Sequence, residues 1–290
     1  MAKIYYSLVL FLVIHMNAFA ASCCGGGSSA STLILADHMQ EWTFSTQFRS
    51  DIGQSNNDGK SLMDANSNKD HTYTANIEYK KLFTARAQGN VGITFIHKNS
   101  ERLSKKEENS GFGDLGVGGF YEVLTNYNYS EWNPRLFTGL KFIVPFGENN
   151  FNSNKELRTD IRGSGFYKID IPVVLSINQF KFSISPQYLP SQKALSNTYA
   201  FTTAGSYTYT FSDQFDVSTT LQWSYMARKR YQSQQVLPGQ YWEVSLATSW
   251  IISSEMTLNL NYSDSTLIGK NRNSALYRSV ALGFTLSELL

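Results

Sequence analysis

Residues 110–123 read SGFGDLGVGGFYEV. Gly111, Gly113 and Gly116 match the G-x-G-x-x-G spacing of a dinucleotide-binding turn, but that motif carries a mechanical requirement. A strand must precede it and a helix must open at its last glycine, because the helix N-terminus holds the pyrophosphate. The residues ahead, SKKEENS, read as a polar loop. Those behind alternate, with Leu115, Val117, Gly119, Tyr121 and Val123 set against Gly116, Gly118, Phe120 and Glu122. Period two is a strand. The glycines therefore lie in or beside a strand, where a missing side chain admits a bend or a large neighbour.

The same alternation recurs along the chain. WTFSTQF places Trp42, Phe44, Thr46 and Phe48 opposite Thr43, Ser45, Gln47 and Arg49. DVSTTLQWSY separates Val217, Thr219, Leu221, Trp223 and Tyr225 from Ser218, Thr220, Gln222 and Ser224. Ile77 and Leu260 fall on the apolar faces of two further segments. About twelve such segments are expected, near 42–53, 71–83, 86–98, 112–124, 134–145, 165–177, 180–189, 199–211, 215–227, 241–251, 256–265 and 274–286, with no convincing period of 3.6 after the first twenty residues. Short connections at 84–85, 178–179, 212–214 and 252–255 alternate with long polar ones such as NSERLSKKEENSG, GENNFNSNKELRTDIRG and RKRYQSQQVLPGQ. Sorting by length onto two ends is what an outer-membrane barrel does, with tight periplasmic turns and longer external loops.

The N-terminus and the composition agree with that reading. Lys3, an apolar core at 8–14 and the small residues of AFA at 18–20 have the layout of a secretory signal peptide. Charged residues make up 17 % of the chain, and it carries 17 Tyr, 19 Phe and 5 Trp. A formal net charge of +2 gives no reason to expect nucleic acid as a partner. An exported, aromatic-rich, charge-poor chain without a spanning helix can cross a membrane as strands. In hydrocarbon an unpaired backbone group costs several kcal/mol, so a sheet survives there only when closed.

The expectation is an all-β, antiparallel up-and-down transmembrane barrel of about twelve strands. Residues 1–20 form a cleaved signal, 21–41 a periplasmic leader or a lumen plug, and 42–290 the barrel. Trp42, Trp223, Trp242 and Trp250 are candidate interfacial anchors. Trp242 and Trp250 share a face eight residues apart, roughly 26 Å at ~3.3 Å per residue. A tilt of ~40° leaves about 20 Å along the normal, close to the ~25 Å band between aromatic girdles.

With the strand assigned, GFGDLGVGGFYEV at 111–123 and RLFTGLKFIVPFGENN at 135–150 are similar to the outer-membrane β-barrel proteins of the meta-pathway of phenol degradation family. The matching pieces are Gly113–Asp114, Tyr121 and Pro145–Phe146–Gly147. The resemblance implies a passive channel for uptake or efflux of small molecules, hydrophobic ones among the candidates; the family's link to phenols does not carry a substrate over to this chain. Unlike many outer-membrane strands, the chain ends GFTLSELL, without a terminal aromatic residue.

If the apolar parity meets lipid, Asp114, Glu122, Arg135, Lys141, Lys168 and Asp170 line the lumen, with the acids placed to pair Arg135 and Lys141 on a neighbouring strand. Balanced charges brace a narrow barrel or form a constriction without clear ion preference. Catalysis is not expected: His97 has Ser100 nearby but not on the same strand face, and Asp51 with His71 is a thin protease candidate. No cofactor or metal site is expected either. Cys23, after the AASC box at 20–23, is a candidate lipidation site, although the box has Ala where Leu is usual; Cys23 and Cys24 together make a poor zinc site. The partners expected are outer-membrane lipids, lipopolysaccharide (through Arg228, Lys229 and Arg230), the outer-membrane insertion machinery and an unidentified small solute. The alternative function is a non-conducting barrel that acts in adhesion through its external loops.

Overall fold

A computed structural model describes residues 33–34, 38–63, 69–102, 105–125, 133–148, 154–157, 159–163, 166–191, 196–231 and 234–289. The signal segment, Cys23 and Cys24 lie outside these. Twelve strands form a closed antiparallel wall and no helix occurs among the described residues. In chain order they are β1 His38–Ser55, β2 Lys69–Leu82, β3 Ala87–Arg102, β4 Lys105–Leu124 and β5 Arg135–Val144, then β6, broken into Lys168–Asp170 and Val173–Ile177. The wall continues with β7 Phe180–Leu189, β8 Thr198–Ser212, β9 Phe215–Met226, β10 Gly239–Ser253, β11 Met256–Asp264 and β12 Ser274–Leu289.

Each strand pairs with its neighbours in sequence, and β12 closes on β1 along a register from His38↔Leu289 to Ser55↔Ser274. The break in β6 falls at Pro172, which has no N–H to give; its carbonyl accepts from Gly139 N at 2.9 Å. Every segment expected to be a strand is one. Turns 83–86, 178–179, 213–214 and 254–255 sit at the end that also carries the start of β1, the finish of β4, the start of β5 and the finish of β12. The connections that follow the odd-numbered strands occupy the opposite, long-loop end.

Side-chain polarity is inverted relative to a water-soluble protein. Trp42, Ile77, Val91, Phe95, Leu140, Phe182, Ile184, Leu221, Leu246, Leu260 and Leu282 stand exposed on the outer surface. The opposite parity is buried and largely polar, including Ser183, Ser185, Ser218, Ser249, Asn259, Asn261, Ser279 and Thr285. Alternation of this sense over a closed wall produces an apolar band outside and hydroxyl and amide groups inside.

Three expectations need correction. SKKEENS is not a loop: β4 begins at Lys105, so the β3–β4 hairpin extends to Arg102↔Lys105. Nor are two other long connections wholly irregular, since Ser61–Met63 adds to the end of β1 and Lys229–Tyr231 pairs with Gln234–Val236. Third, a bulge interrupts the alternation in β4: Ile93↔Leu115 is followed by Phe95↔Phe112, so Gly113 and Asp114 together oppose Thr94. A bulge adds one residue and reverses the parity beyond it. Thus Gly111 faces inward, although it lies an odd number of residues from the inward Gly116 and Gly118.

Candidate functional site

The interior has three tiers. At the long-loop end, the chain between β5 and β6 folds back onto the inner face of the β3–β4 hairpin. The Arg162 guanidinium occupies the space beside Gly111, where an added Cβ would lie 2.5 Å from Arg162 Cζ. Arg162 Nη1 donates to the Ser110 carbonyl at 2.6 Å, and its Nη2 lies 3.3 Å from Glu148 Oε2. Arg162 N and Gly163 N both donate to the Glu148 carbonyl at 2.8 Å, while Leu157 N donates to Glu107 Oε2 at 2.9 Å. Beyond these, Lys105 pairs with Glu156, whose carboxylate holds the ammonium above its usual range.

The glycine-rich motif thus serves a loop clamp rather than a phosphate cradle. Gly147, of the PFG triplet, meets the same strand: a Cβ there would lie 2.8 Å from Phe112 O and 2.9 Å from Gly163 N. Both are backbone atoms that cannot swing aside. For Gly147→Val we expect the loop to unseat, since overpacking of this kind costs about 1–3 kcal/mol, and cleavage by trypsin after Arg162 to rise about tenfold. Mass mapping of the fragments checks this, and an unchanged rate would show that the contact does not hold the loop.

The middle tier is a cavity of about 750 Å³. One wall carries Asn76, Glu78, Asn90, Asp114, Lys141, Lys168, Asp170 and Gln187, and the other carries Thr202, Gln222, Ser224, Gln240 and Tyr241. Asp170 stands opposite Lys141 in the ladder and accepts from the Ser185 hydroxyl. Tyr241 OH lies 3.4 Å from Gln222 Nε2. Above the cavity, Arg49 pairs with Asp51 at 2.7 Å and lies 3.9 Å from the centre of the Tyr277 ring.

The lower tier is filled. Glu122 and Arg135 form a two-point pair, Nε to Oε1 at 2.7 Å and Nη2 to Oε2 at 3.0 Å. Lys80 Nζ lies 3.3 Å from Glu41 Oε2 and 4.0 Å from Glu78 Oε2, and Asn90 donates to Glu78 Oε1 at 2.8 Å. Beside these charges Phe120, Phe137 and Val174 turn apolar groups inward and form one buried cluster with Leu33.

Of the sequence candidates, Asp114, Lys141, Lys168 and Asp170 surround the cavity, while Glu122 and Arg135 sit below it. Trp42 and Trp250 are exposed on the outer surface toward the short-turn end. Trp223 and Trp242 pair across β9 and β10 toward the other end, with ring centroids 6.3 Å apart. Aromatic contacts continue both rows: Trp42–Tyr79 at 4.6 Å and Phe180–Tyr207 at 4.9 Å in one, Phe48–Tyr73 at 5.0 Å and Tyr188–Tyr199 at 5.3 Å in the other.

Asp51 and His71 do not meet: Asp51 binds Arg49 inside, while the His71 ring lies tilted against the outward Phe48 ring, centroids 5.3 Å apart. His97 finds a serine, but it is Ser110 on the adjacent strand, with His97 Nδ1 2.7 Å from Ser110 Oγ on the exposed face. Sequence spacing could not show this pair, because the register that makes it follows from the bulge at Gly113–Asp114. Among the described residues no carboxylate or amide is hydrogen-bonded to the other His97 nitrogen, the orienting contact a catalytic triad uses. No group of three His, Cys, Asp or Glu able to hold a metal ion occurs among them either.

Comparison with known proteins rests on architecture. No family model and no curated protein matches the chain. An outer membrane channel from Pseudomonas putida F1 superposes with a TM-score of 0.69 at 11 % identity, covering 90 % of this chain and 100 % of that one. The translocator domain of the autotransporter NalP from Neisseria meningitidis matches with a TM-score of 0.51 at 7 % identity, covering 98 % and 94 %. The NanC porin matches with a TM-score of 0.51 at 10 % identity, covering 84 % and 98 %. At such identities what is shared is the fold, and this chain has the fold of the outer-membrane β-barrels.

Proposed function

We propose that this protein is an outer-membrane channel for passive passage of small, hydrogen-bonding solutes. The observation that carries the reading is the cavity of about 750 Å³ inside a closed wall, lined by amides, hydroxyls and both signs of charge together with the apolar Ile96, Ile143 and Leu237. A lumen built only to brace the wall would bury these groups against one another. A hydrophobic permeant would leave their hydrogen bonds unmade, so the lining supports a polar one. The outward apolar band between two aromatic rows supports a place in lipid, with Trp42, Trp223, Trp242 and Trp250 at its edges. In that setting residues 1–20 act as the export signal and Arg228 with its neighbours faces lipopolysaccharide phosphates.

We also infer kinship with the meta-pathway of phenol degradation family. Its two motifs touch here: Gly147 of PFG lies against Phe112 of GFGD, and Gly163 against the Asp114 carboxylate.

Planar-bilayer recording tests the channel. Unitary current is expected, and Lys141→Glu/Lys168→Glu is expected to move the reversal potential in a KCl gradient toward cation preference, because it replaces two positive charges on the cavity wall by two negative ones. An unchanged reversal potential would place the current path elsewhere. A second reading, a non-conducting barrel that acts through its loops, draws on the filled lower tier. Silence under all voltages would favour it.

A further inference from the structure

We propose that Leu33–Ile34 is a displaceable stopper that closes the lumen at its short-turn end. The interior parity of the wall is polar almost throughout, yet Phe120, Phe137 and Val174, from three successive strands, point apolar groups inward at 4 %, 1 % and 0 % exposure. An isolated apolar patch facing a wet lumen has no stabilising role unless something covers it. Leu33 does, and is itself 4 % exposed; Ile34 beside it is 3 % exposed.

Gln88 fastens the segment at two points. Ile34 N donates to Gln88 Oε1 at 2.6 Å, and Gln88 Nε2 donates to the Ile34 carbonyl at 3.4 Å. An amide side chain that offers its acceptor and its donor to one residue mimics a strand neighbour, so it holds backbone and is indifferent to side-chain identity. The cavity lining reaches down to Glu78, Asn90 and Lys141 and includes neither Gln88 nor the apolar cluster. The seated segment therefore marks the floor of the cavity. Two apolar side chains and one amide clasp form a small, non-covalent attachment that can release. The seating stands on these contacts alone; that its release admits solute rests on the channel reading.

The test uses full-length protein with Cys23→Ser, Cys24→Ser and a probe thiol at Val174→Cys, with and without Leu33→Asp/Ile34→Asp. Folding of each is checked by heat-modifiable migration. A water-soluble maleimide is expected to label the probe slowly in the parent and at least about tenfold faster in the Asp variant, the change that ~1.4 kcal/mol of lost seating produces. Gln88→Ala, which keeps the apolar contacts, is expected to fall between them. Equal labelling rates overturn the stopper. The same proteins are then recorded in planar bilayers, where longer openings in the Asp variant are expected. Faster labelling with identical currents overturns the gating role while leaving the channel reading intact. Faster labelling with both proteins silent overturns the gating role and removes the channel reading with it.

Discussion

Lys80→Ala is expected to destabilise the barrel by about 3–5 kcal/mol, the cost of leaving a buried charge without its partner. Lys80 and Glu41 have side chains only 1 % exposed, and Lys80 Nζ stands between Glu41 Oε2 at 3.3 Å and Glu78 Oε2 at 4.0 Å. Removing the ammonium leaves two carboxylates near each other in a buried place. Replacing both charges, as Glu41→Leu/Lys80→Met, should cost far less, because well-packed apolar groups often substitute for a buried pair at little net loss. Reversible urea unfolding in phospholipid vesicles measures both. A loss below about 1 kcal/mol for Lys80→Ala would mean that water reaches the pair and screens it.

The second large effect concerns the outer surface. Leu221, 40 % exposed, lies mid-strand in β9 between Gly205 and Val244 in the ladder. Leu221→Arg should cost about 2–4 kcal/mol, as arginine does at the bilayer midplane of a barrel. Thr220, one residue away, faces inward between Ser206 and Ser245, whose small side chains leave room in a polar lumen. Thr220→Arg should therefore cost less than half as much. Equal losses at 220 and 221 would show that the two faces do not meet different solvents, and the membrane assignment would fall.

How much of this was legible follows from where the physics is local. Period two records which solvent each side of a strand meets, so the β1, β9 and β11 patterns identified their strands from sequence. The signal fails where both sides meet similar surroundings. In the projecting β3–β4 hairpin, Lys105, Lys106, Glu107 and Glu108 carry charge on both faces, and a strand there looks like a loop. Loop sorting held only in part: the β4–β5 connection has ten residues at the short-turn end, and the β3–β4 connection at the long-loop end has two.

The sequence by itself determined the class of fold, the wall of twelve strands and the inward parity of Asp114, Lys141, Lys168 and Asp170, because one alternating pattern encodes each of them. Only the tertiary structure decided which groups meet. The bulge at Gly113–Asp114 reset the register that pairs His97 with Ser110 and turned Gly111 toward Arg162. The floor of the lumen required Phe120, Phe137 and Val174 to converge from three strands onto Leu33. In its own strand each of those three reads as an exception to the alternation, and their contact with Leu33, between 87 and 141 positions away, is set by the assembled wall, which no local pattern contains.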